Sequence, residues 1–185
     1  MAKVQVVRLV RHSLKKKDNH VSHLGRKLAA KLGPAIMAGV SNNCPVYVGP
    51  LPRCRETGAA MGINDDRMQN EPLFDSIPGA ELAPLVGKAK PVMKAQSIDA
   101  VTAILQLAES DMEAAITMQG ASGRYREGIK EITARHPDAD VVAVICHGGS
   151  IEPAANIATG LKELEYVDII VVDGEIAGAT EHRRA

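Results

Sequence analysis

Three short runs of apolar, largely β-branched residues constrain the fold of this chain most strongly. They cover residues 4–10, 46–48 and 141–146, and each has the length and content of a buried strand. Stretches with helical periodicity separate the runs. Strands that alternate with helices are typical of a parallel sheet covered by helices on both faces. We therefore expect a three-layer α/β/α sandwich with a mostly parallel sheet, formed by residues 1–185 as a single domain.

The last part of the chain predicts a different kind of strand pair. Residues 167–172 and 175–179 flank Asp173 and Gly174. An Asp-Gly pair between two such runs favours a two-residue hairpin turn. The hairpin would add an antiparallel strand at one edge of the sheet.

Periodicity and end signals predict five helices. Ser22 can cap the first of them, and Gly33 and Pro34 are expected to end it. Prolines at positions 72, 78, 84 and 91 indicate an irregular segment between residues 70 and 96. The predicted helices are residues 23–32, 52–61, 98–118, 122–136 and 151–159.

The composition argues against several classes of function. Lys and Arg total 22, as do Asp and Glu, and this balance is unlike that of a general nucleic-acid binder. One Phe, three Tyr and no Trp leave little with which to stack single-stranded bases. Cys44, Cys54 and Cys146 form no CxxC pair, and their odd number favours reduced thiols in a cytoplasmic protein. No run has the length of a signal peptide or a membrane span, so we expect no membrane partner.

Polar residues suited to anion binding follow each of the three apolar runs. Ligands of open α/β sheets bind beyond the carboxyl ends of the strands, so two His and two Arg side chains would converge on one cationic pocket. A glycine turn at a helix start adds backbone N–H donors, and the combination suits phosphate. The residues concerned are Arg11, His12, Ser13, Arg53, His147, Gly148 and Gly149.

The same segments resemble the motifs of a known family. Residues 9–13 (Leu-Val-Arg-His-Ser) are similar to the Leu-Val-Arg-His-Gly signature of the histidine phosphatase superfamily, whose fold is called phosphoglycerate-mutase-like. Residues 46–57 resemble its Ser-Pro-Leu-x-Arg-x-x-x-Thr segment, and residues 146–149 (Cys-His-Gly-Gly) resemble its second-histidine turn. Residues 23–26 (His-Leu-Gly-Arg) are similar to its leucine–glycine–arginine helix. The matches follow the family's order over almost the whole chain.

The resemblance implies a catalytic role for four side chains. His12 would attack phosphorus as a neutral imidazole and form a covalent phosphohistidine. Arg11 and Arg53 would hold the phosphoryl oxygens, and His147 would donate to the same group. Because four protein groups then act on the phosphate, the implied chemistry requires neither a metal ion nor another cofactor.

The general acid and two neighbouring positions are less well defined by the resemblance. The family has a carboxylate after the second arginine, where we favour Asp75, with Glu81 as the alternative. Ser13 replaces a family glycine, and its hydroxyl would either donate to phosphate or crowd the site. Gly49 replaces a serine and removes a hydroxyl. We count Ser13, Gly148 and Glu81 as candidate substrate-binding residues.

Other chemistries fit this sequence less well. Cys146 follows an apolar run, but a cysteine phosphatase needs an arginine six residues later, where Glu152 would repel phosphate. The run of lysines at residues 15–17 favours a solvated loop, with steering of an anionic substrate as the alternative. His20 and His23 alone are too few to define a metal site.

The sequence therefore predicts a phosphatase acting on a phosphorylated small molecule or phosphoprotein. Only a modest stretch between Gly62 and Ser97 is available to cover the site, which favours hydrolysis by water over phosphate return. The compact chain also resembles the family's protein-phosphohistidine phosphatases, which have open sites. The alternatives are a phosphoglycerate-mutase-type phosphotransferase and a non-catalytic protein that binds a phosphorylated ligand, which Ser13 would favour.

Overall fold

A six-stranded sheet forms the centre of the computed structural model, which describes residues 2–184. The strands are β1 (Val4–Arg11), β2 (Val46–Val48), β3 (Met68–Asn70), β4 (Val141–Cys146), β5 (Tyr166–Val172) and β6 (Glu175–His182). Their order across the sheet is β3-β2-β4-β1-β5-β6. The first four of these strands are parallel, whereas β5 pairs antiparallel with both β1 and β6. The predicted fold class is confirmed.

Helices cover both faces of the sheet. They are α1 (His23–Ile36), α2 (Pro52–Ala60), α3 (Gly79–Gln96), α4 (Ala100–Leu107), α5 (Met112–Arg135) and α6 (Ile151–Ala155), with short 3-10 turns at Asp65–Arg67 and Pro72–Phe74. Strand β4 shows how both faces are filled, because successive side chains of a strand point to opposite sides. Val142 and Val144 pack in the cluster that holds α5 and α6, while Ala143 and Ile145 pack with α1 and α2.

The parallel register brings three strand ends together. Arg11 at the end of β1 is level with Cys146 at the end of β4, and Val48 of β2 is level with Ile145. The chain leaves all three strands at this edge, where the backbone N–H of His12 donates to the carbonyl of Cys146 at 3.0 Å. The segments that follow β1, β2 and β4 therefore start side by side.

The predicted hairpin connects β5 and β6, and β6 is the outermost strand on its side of the sheet. Its two turn residues, Asp173 and Gly174, have φ values of 49° and 83°. Two consecutive positive φ values define the type I′ turn, whose twist matches that of the flanking strands.

Proline was a poor guide to where helices end. The irregular segment predicted for residues 70–96 is wrong for residues 79–96, since α3 contains both Pro84 and Pro91. Helix α1 likewise continues through Pro34 to Ile36. Each proline removes one helical N–H and frees the carbonyl four residues earlier. The residues that carry these carbonyls are exposed, so water can bind there: Ala30, Ala80 and Gly87.

The boundary between the next two helices also differs from the prediction. Instead of a break near residues 119–121, the chain turns at residues 108–111, and α5 continues as one helix of 24 residues. The carboxylate of Asp111 caps α5 by accepting from Ala114 N at 3.0 Å, which fixes the helix start there. Helix α6 ends at Ala155, earlier than predicted, because Asn156 adopts a left-handed φ of 57°.

Residues 76–118, which we call the cover, extend over the carboxyl edge of the sheet. They hold α3, α4 and the first turns of α5, and they have a hydrophobic cluster of their own that includes Leu85, Ala89 and Ala103. The covering segment is therefore longer than the modest stretch expected between Gly62 and Ser97. No helix among residues 2–184 has the length and apolar content needed to cross a membrane.

Candidate active site

His12 lies directly beyond β1 with 6% of its surface exposed. Its Nδ1 is 2.8 Å from the carbonyl oxygen of Ser13, and because a carbonyl only accepts, Nδ1 carries the proton. Nε2 is then unprotonated, and it accepts a hydrogen bond of 2.9 Å from Nε of Arg53. Burial above all, then the charges of Arg53 and Arg11, lower the pKa of His12 to about 3 against the opposing effect of the bond to Ser13. The ring is neutral at physiological pH with its lone pair on Nε2.

Arg53 lies in the first turn of α2 and is 7% exposed. Besides donating to His12, it donates from Nη1 to Oδ1 of Asn19 at 2.9 Å. A guanidinium at a helix N-terminus opposes the helix dipole, so a compensating anion in the adjacent cavity would be favourable.

Arg11 approaches the same place from the end of β1. Its Nη1 donates to the carbonyl of Leu161, and its Nη2 lies 3.2 Å from Oε1 of Glu163. Its Nε is buried and has no partner among the described residues. A Cβ on Gly148 would lie 2.9 Å from Cδ of Arg11, so the glycine permits this close approach. Arg11 therefore keeps a free N–H donor beside the glycine turn.

His147 completes the cationic part of the site from the end of β4. It is 1% exposed, and its ring centroid lies 5.3 Å from that of His12, with an angle of 63° between the rings. Sγ of Cys54 is 3.3 Å from Nε2 of His147. Burial, followed by the charges of Arg53 and of a protonated His12, lowers the pKa of His147 to about 2. His147 is thus also a neutral imidazole at physiological pH.

A loop that the sequence analysis did not assign to the site reaches it as well. Asn19 has a φ of 66°, and its Oδ1 accepts from Arg53 and, at 3.3 Å, from Nζ of Lys15. The loop is held down by Glu56, whose carboxylate pairs with His20 and accepts from Val21 N at 2.8 Å. The only sequence signal for Asn19 is that asparagine tolerates the left-handed region.

These groups line one cavity of about 510 Å³. Four of the predicted catalytic residues and Gly148 belong to its lining, together with Lys15 and Asn19. Glu163 is the single carboxylate residue in that lining. The predicted catalytic residues that line the cavity are Arg11, His12, Arg53 and His147.

Three other predicted site residues lie outside the lining. The hydroxyl of Ser13 is fully buried and donates to the carbonyl of Gly25 at 2.8 Å, away from the cavity. Asp75 is partly buried, and its Oδ1 accepts from the backbone N–H of Ser76 at 2.7 Å. Glu81 is exposed in the first turn of α3. The assignment of the general acid to Asp75 or Glu81 stays a prediction.

Gly49 stands where the motif that residues 46–57 resemble has a serine, and the structure gives a steric reason for the glycine. A Cβ at this position would lie 2.6 Å from the carbonyl oxygen of Phe74 and 3.0 Å from Nε2 of His147. The first contact is closer than a carbon atom tolerates, and the second would require the imidazole to shift. The glycine therefore allows the second imidazole to pack directly on the backbone after β2.

Two further titratable groups near the site, Cys146 and Glu152, have structural roles. Cys146 is fully buried, and burial raises the pKa of its thiol well above the usual value. Glu152 is also fully buried and accepts from the backbone N–H groups of Gly149 and Leu161, so it fixes the glycine turn. Within residues 2–184, no group of three or more His, Cys, Asp or Glu side chains is placed to hold a metal ion.

The sequence of the chain was compared with models of known families and with curated proteins. A sequence model of the histidine phosphatase superfamily (branch 1) matches residues 9–176. No curated protein matches the chain significantly in sequence.

Solved structures resemble the chain in fold at low sequence identity. A phosphoserine phosphatase from Entamoeba histolytica is 12% identical, with a TM-score of 0.67 and 98% of each chain covered. A mycobacterial glucosyl-3-phosphoglycerate phosphatase is 16% identical, with a TM-score of 0.55 and coverage of 99% of this chain and 98% of that one. A putative phosphohistidine phosphatase from Nakamurella multipartitia is 14% identical, with a TM-score of 0.52 and coverage of 97% and 94%.

Proposed function

Since the chain belongs to branch 1 of the histidine phosphatase superfamily, we propose that it hydrolyses phosphate monoesters or phosphoprotein groups through a phosphohistidine on Nε2 of His12. The observation that carries the proposal is the contact of 2.8 Å between Nδ1 of His12 and the carbonyl oxygen of Ser13. The hydrogen bond from Nδ1 to Ser13 and the low pKa together leave a nucleophilic lone pair on Nε2 at neutral pH.

In the first step, Nε2 of His12 donates its electron pair to phosphorus while the ester P–O bond breaks. The leaving oxygen takes the electron pair of that bond and receives a proton from the general acid. The phosphoimidazole keeps the proton on Nδ1, and its bond to the carbonyl of Ser13 stabilises the positive charge that develops on the ring. Arg53 would turn its Nε from His12 to a phosphoryl oxygen, and Arg11 would donate its unpartnered Nε while it keeps its contact with Glu163.

In the second step, a water molecule attacks phosphorus opposite the imidazole. The N–P electron pair returns to Nε2, and the proton of the water passes to the carboxylate that gave its proton in the first step. His147, neutral at the start, would donate one N–H to the transferred group in both steps. We assign the acid to Asp75, with Glu81 as the alternative, and no metal ion takes part in the proposed steps.

The test combines turnover with trapping of the intermediate. We expect p-nitrophenyl phosphate to be hydrolysed in excess chelator and activity to be lost in His12→Ala. Brief reaction with a 32P-labelled phosphoester, quenched in alkali, should label the wild-type protein, and acid should release the label. His23→Ala is the matched control, because His23 is exposed and outside the cavity lining.

Two outcomes would favour the alternatives. Binding of inorganic phosphate without turnover of any ester would indicate a phosphate-ligand binding protein. Isomerisation of 3-phosphoglycerate faster than its hydrolysis would indicate a phosphotransferase of the mutase type. Labelling of His12→Ala at the wild-type level would refute the assigned nucleophile.

A further inference from the structure

The lining of the cavity is of two chemical kinds. Two histidines and two arginines supply hydrogen-bonding groups, and six apolar side chains form an apolar wall. This apolar wall is formed by Leu51, Ile77, Leu82, Val101, Ile104 and Met118. We propose that the wall binds the leaving group, and that the substrate is the phosphate monoester of a compact apolar alcohol or phenol. This inference rests on the proposed function, and it narrows the substrate class of the same site.

The cover supplies most of the wall and holds it rigidly. Ile77, Ile104 and Met118 are 6%, 2% and 5% exposed and belong to the hydrophobic cluster of the cover, against which Leu82 also packs. Side chains packed in this way keep one rotamer, so the wall is preformed. A preformed apolar surface favours a ligand that requires no polar partners.

The wall begins next to the phosphate-binding part of the cavity. A Cβ on Gly149 would lie 3.9 Å from Cγ2 of Val101, so this side chain lies close to the turn that follows His147. A phosphoryl group held by Arg11 and His147 would therefore present its ester oxygen, and the first carbons beyond it, toward Val101. The wall offers the leaving group apolar side chains, and Ser76 is the one polar residue that the cover contributes to the lining.

The few polar groups of the cavity do not suit a sugar or an amino acid as the leaving group. Oδ1 of Asn19 already accepts from Arg53 and Lys15, and the carboxylate of Glu163 is paired with Arg11. The ammonium and carboxylate of an amino acid would lose water against the wall without gaining partners there. Sugar hydroxyls against the wall would lose water without gaining partners, which costs binding free energy for each group.

The size of the cavity also favours a small-molecule substrate. A volume of about 510 Å³ is typical of sites for whole small molecules. The cover contributes seven residues to the lining of the cavity, in contrast to the open site expected for a protein-phosphohistidine phosphatase. A phosphorylated protein is therefore a poorer fit than a small ester.

A homologous series tests the wall independently of turnover. Alkylphosphonates from methyl to hexyl are not hydrolysed, and calorimetry gives their affinity for the wild-type protein. We expect affinity to rise about fourfold per methylene until the cavity is filled, as apolar burial requires. The matching alkyl phosphates should show the same trend in kcat/KM. Equal affinity along the phosphonate series would overturn the inference even if every ester were hydrolysed.

Two variants test whether the apolar wall causes the rise in affinity with alkyl chain length. Val101→Thr keeps the shape of the side chain but places a hydroxyl in the wall, so the ratio of hexyl to methyl affinity should fall about fivefold or more. Val86→Thr is the matched control, since Val86 is partly buried in the same cover but does not line the cavity. It should leave the ratio unchanged. Faster turnover of phosphoserine, glucose 6-phosphate or a phosphohistidine peptide than of hexyl phosphate would contradict the proposed substrate class. Absence of turnover with a rising phosphonate series would overturn the proposed function alone.

Discussion

Nε of Arg53 donates a hydrogen bond of 2.9 Å to Nε2 of His12. The guanidinium therefore occupies the lone pair that is proposed to attack phosphorus. An incoming phosphoryl group offers Arg53 several charged oxygens, which accept hydrogen bonds more strongly than a neutral imidazole does. Substrate binding would thus draw Arg53 away from Nε2 and free the nucleophile only when its target is present.

Replacing Arg53 with lysine keeps the positive charge but removes the planar guanidinium, so this variant tests the geometry of its hydrogen bonds. Arg53→Lys should lower kcat/KM about 100-fold, because an ammonium cannot supply the two parallel N–H donors that the transferring group needs. Steady-state kinetics on p-nitrophenyl phosphate give the value. Arg55→Lys on the same helix is the control, since Arg55 pairs with Asp65 and does not line the cavity. Equal losses in both variants would remove the special role of Arg53.

The lowered pKa values predict how stability depends on pH. His12 and His147 are neutral when folded down to a pH of about 3 and about 2, while in the unfolded chain they bind a proton below about 6.5. Between these limits the unfolded state holds more protons. The free energy of unfolding therefore falls as pH falls below 6.5, by about 1.4 kcal/mol per pH unit for each histidine.

Urea unfolding at pH 6 and pH 5 measures this slope. His12→Asn removes one titrating ring but keeps an amide donor for the carbonyl of Ser13, so the slope should decrease by roughly one proton relative to the wild type. In NMR spectra of the folded protein, the ring signals of both histidines should keep their neutral shifts across this range. If the free energy of unfolding depended equally on pH in the wild type and in His12→Asn, the low pKa of His12 would be contradicted.

Gly49 predicts that restoring the family's serine harms this particular protein. Gly49→Ser would place Cβ 2.6 Å from the carbonyl oxygen of Phe74 and 3.0 Å from Nε2 of His147. We expect a loss of about 2 kcal/mol in stability from overpacking and at least a tenfold loss in kcat/KM, because the imidazole must move. Thermal unfolding and kinetics measure the two effects. Gly87→Ser, where nothing lies within 4 Å, is the control for glycine replacement, and a Gly49→Ser variant as active as this control would oppose the steric argument.

The sequence was sufficient to place the central strands and the residues that follow them. Buried parallel strands read as apolar runs, and the order of the chain brings the ends of β1, β2 and β4 to one edge. Placing Arg11, His12, Arg53 and His147 in one cavity required only this register. The hairpin was equally readable, because Asp-Gly is the preferred sequence of its turn.

Other features depend on contacts that are distant in the sequence. Strand β3 has three residues, two of them polar, and it forms only because β2 offers a free edge. The orientation of Arg11 is set by Glu163, 152 residues away. Helix α3 tolerates its prolines because the freed carbonyls belong to exposed residues, and exposure is a tertiary property. Local patterns carry none of this information.

The identity of the general acid can be decided by varying the leaving group. A poor leaving group such as an alkoxide needs a proton as the P–O bond breaks, whereas p-nitrophenolate leaves well without one. If Asp75 is the acid, Asp75→Asn should lower kcat about 100-fold or more on hexyl phosphate and only a few-fold on p-nitrophenyl phosphate. Equal losses on both esters would show that Asp75 acts through structure, for which its bond to Ser76 N is a sufficient reason.

Comparing kcat on hexyl phosphate with kcat on p-nitrophenyl phosphate also tests Glu81 and Glu163 as the general acid. Glu81→Gln should show this split only if Glu81 is the acid, and it doubles as a control because Glu81 is exposed. Glu163 lines the cavity and is paired with Arg11, so Glu163→Gln should instead strengthen competitive inhibition by inorganic phosphate about threefold to tenfold, as Arg11 loses an anionic competitor. A leaving-group split in Glu163→Gln alone would move the role of acid from the segment after Arg53 to the one after α6.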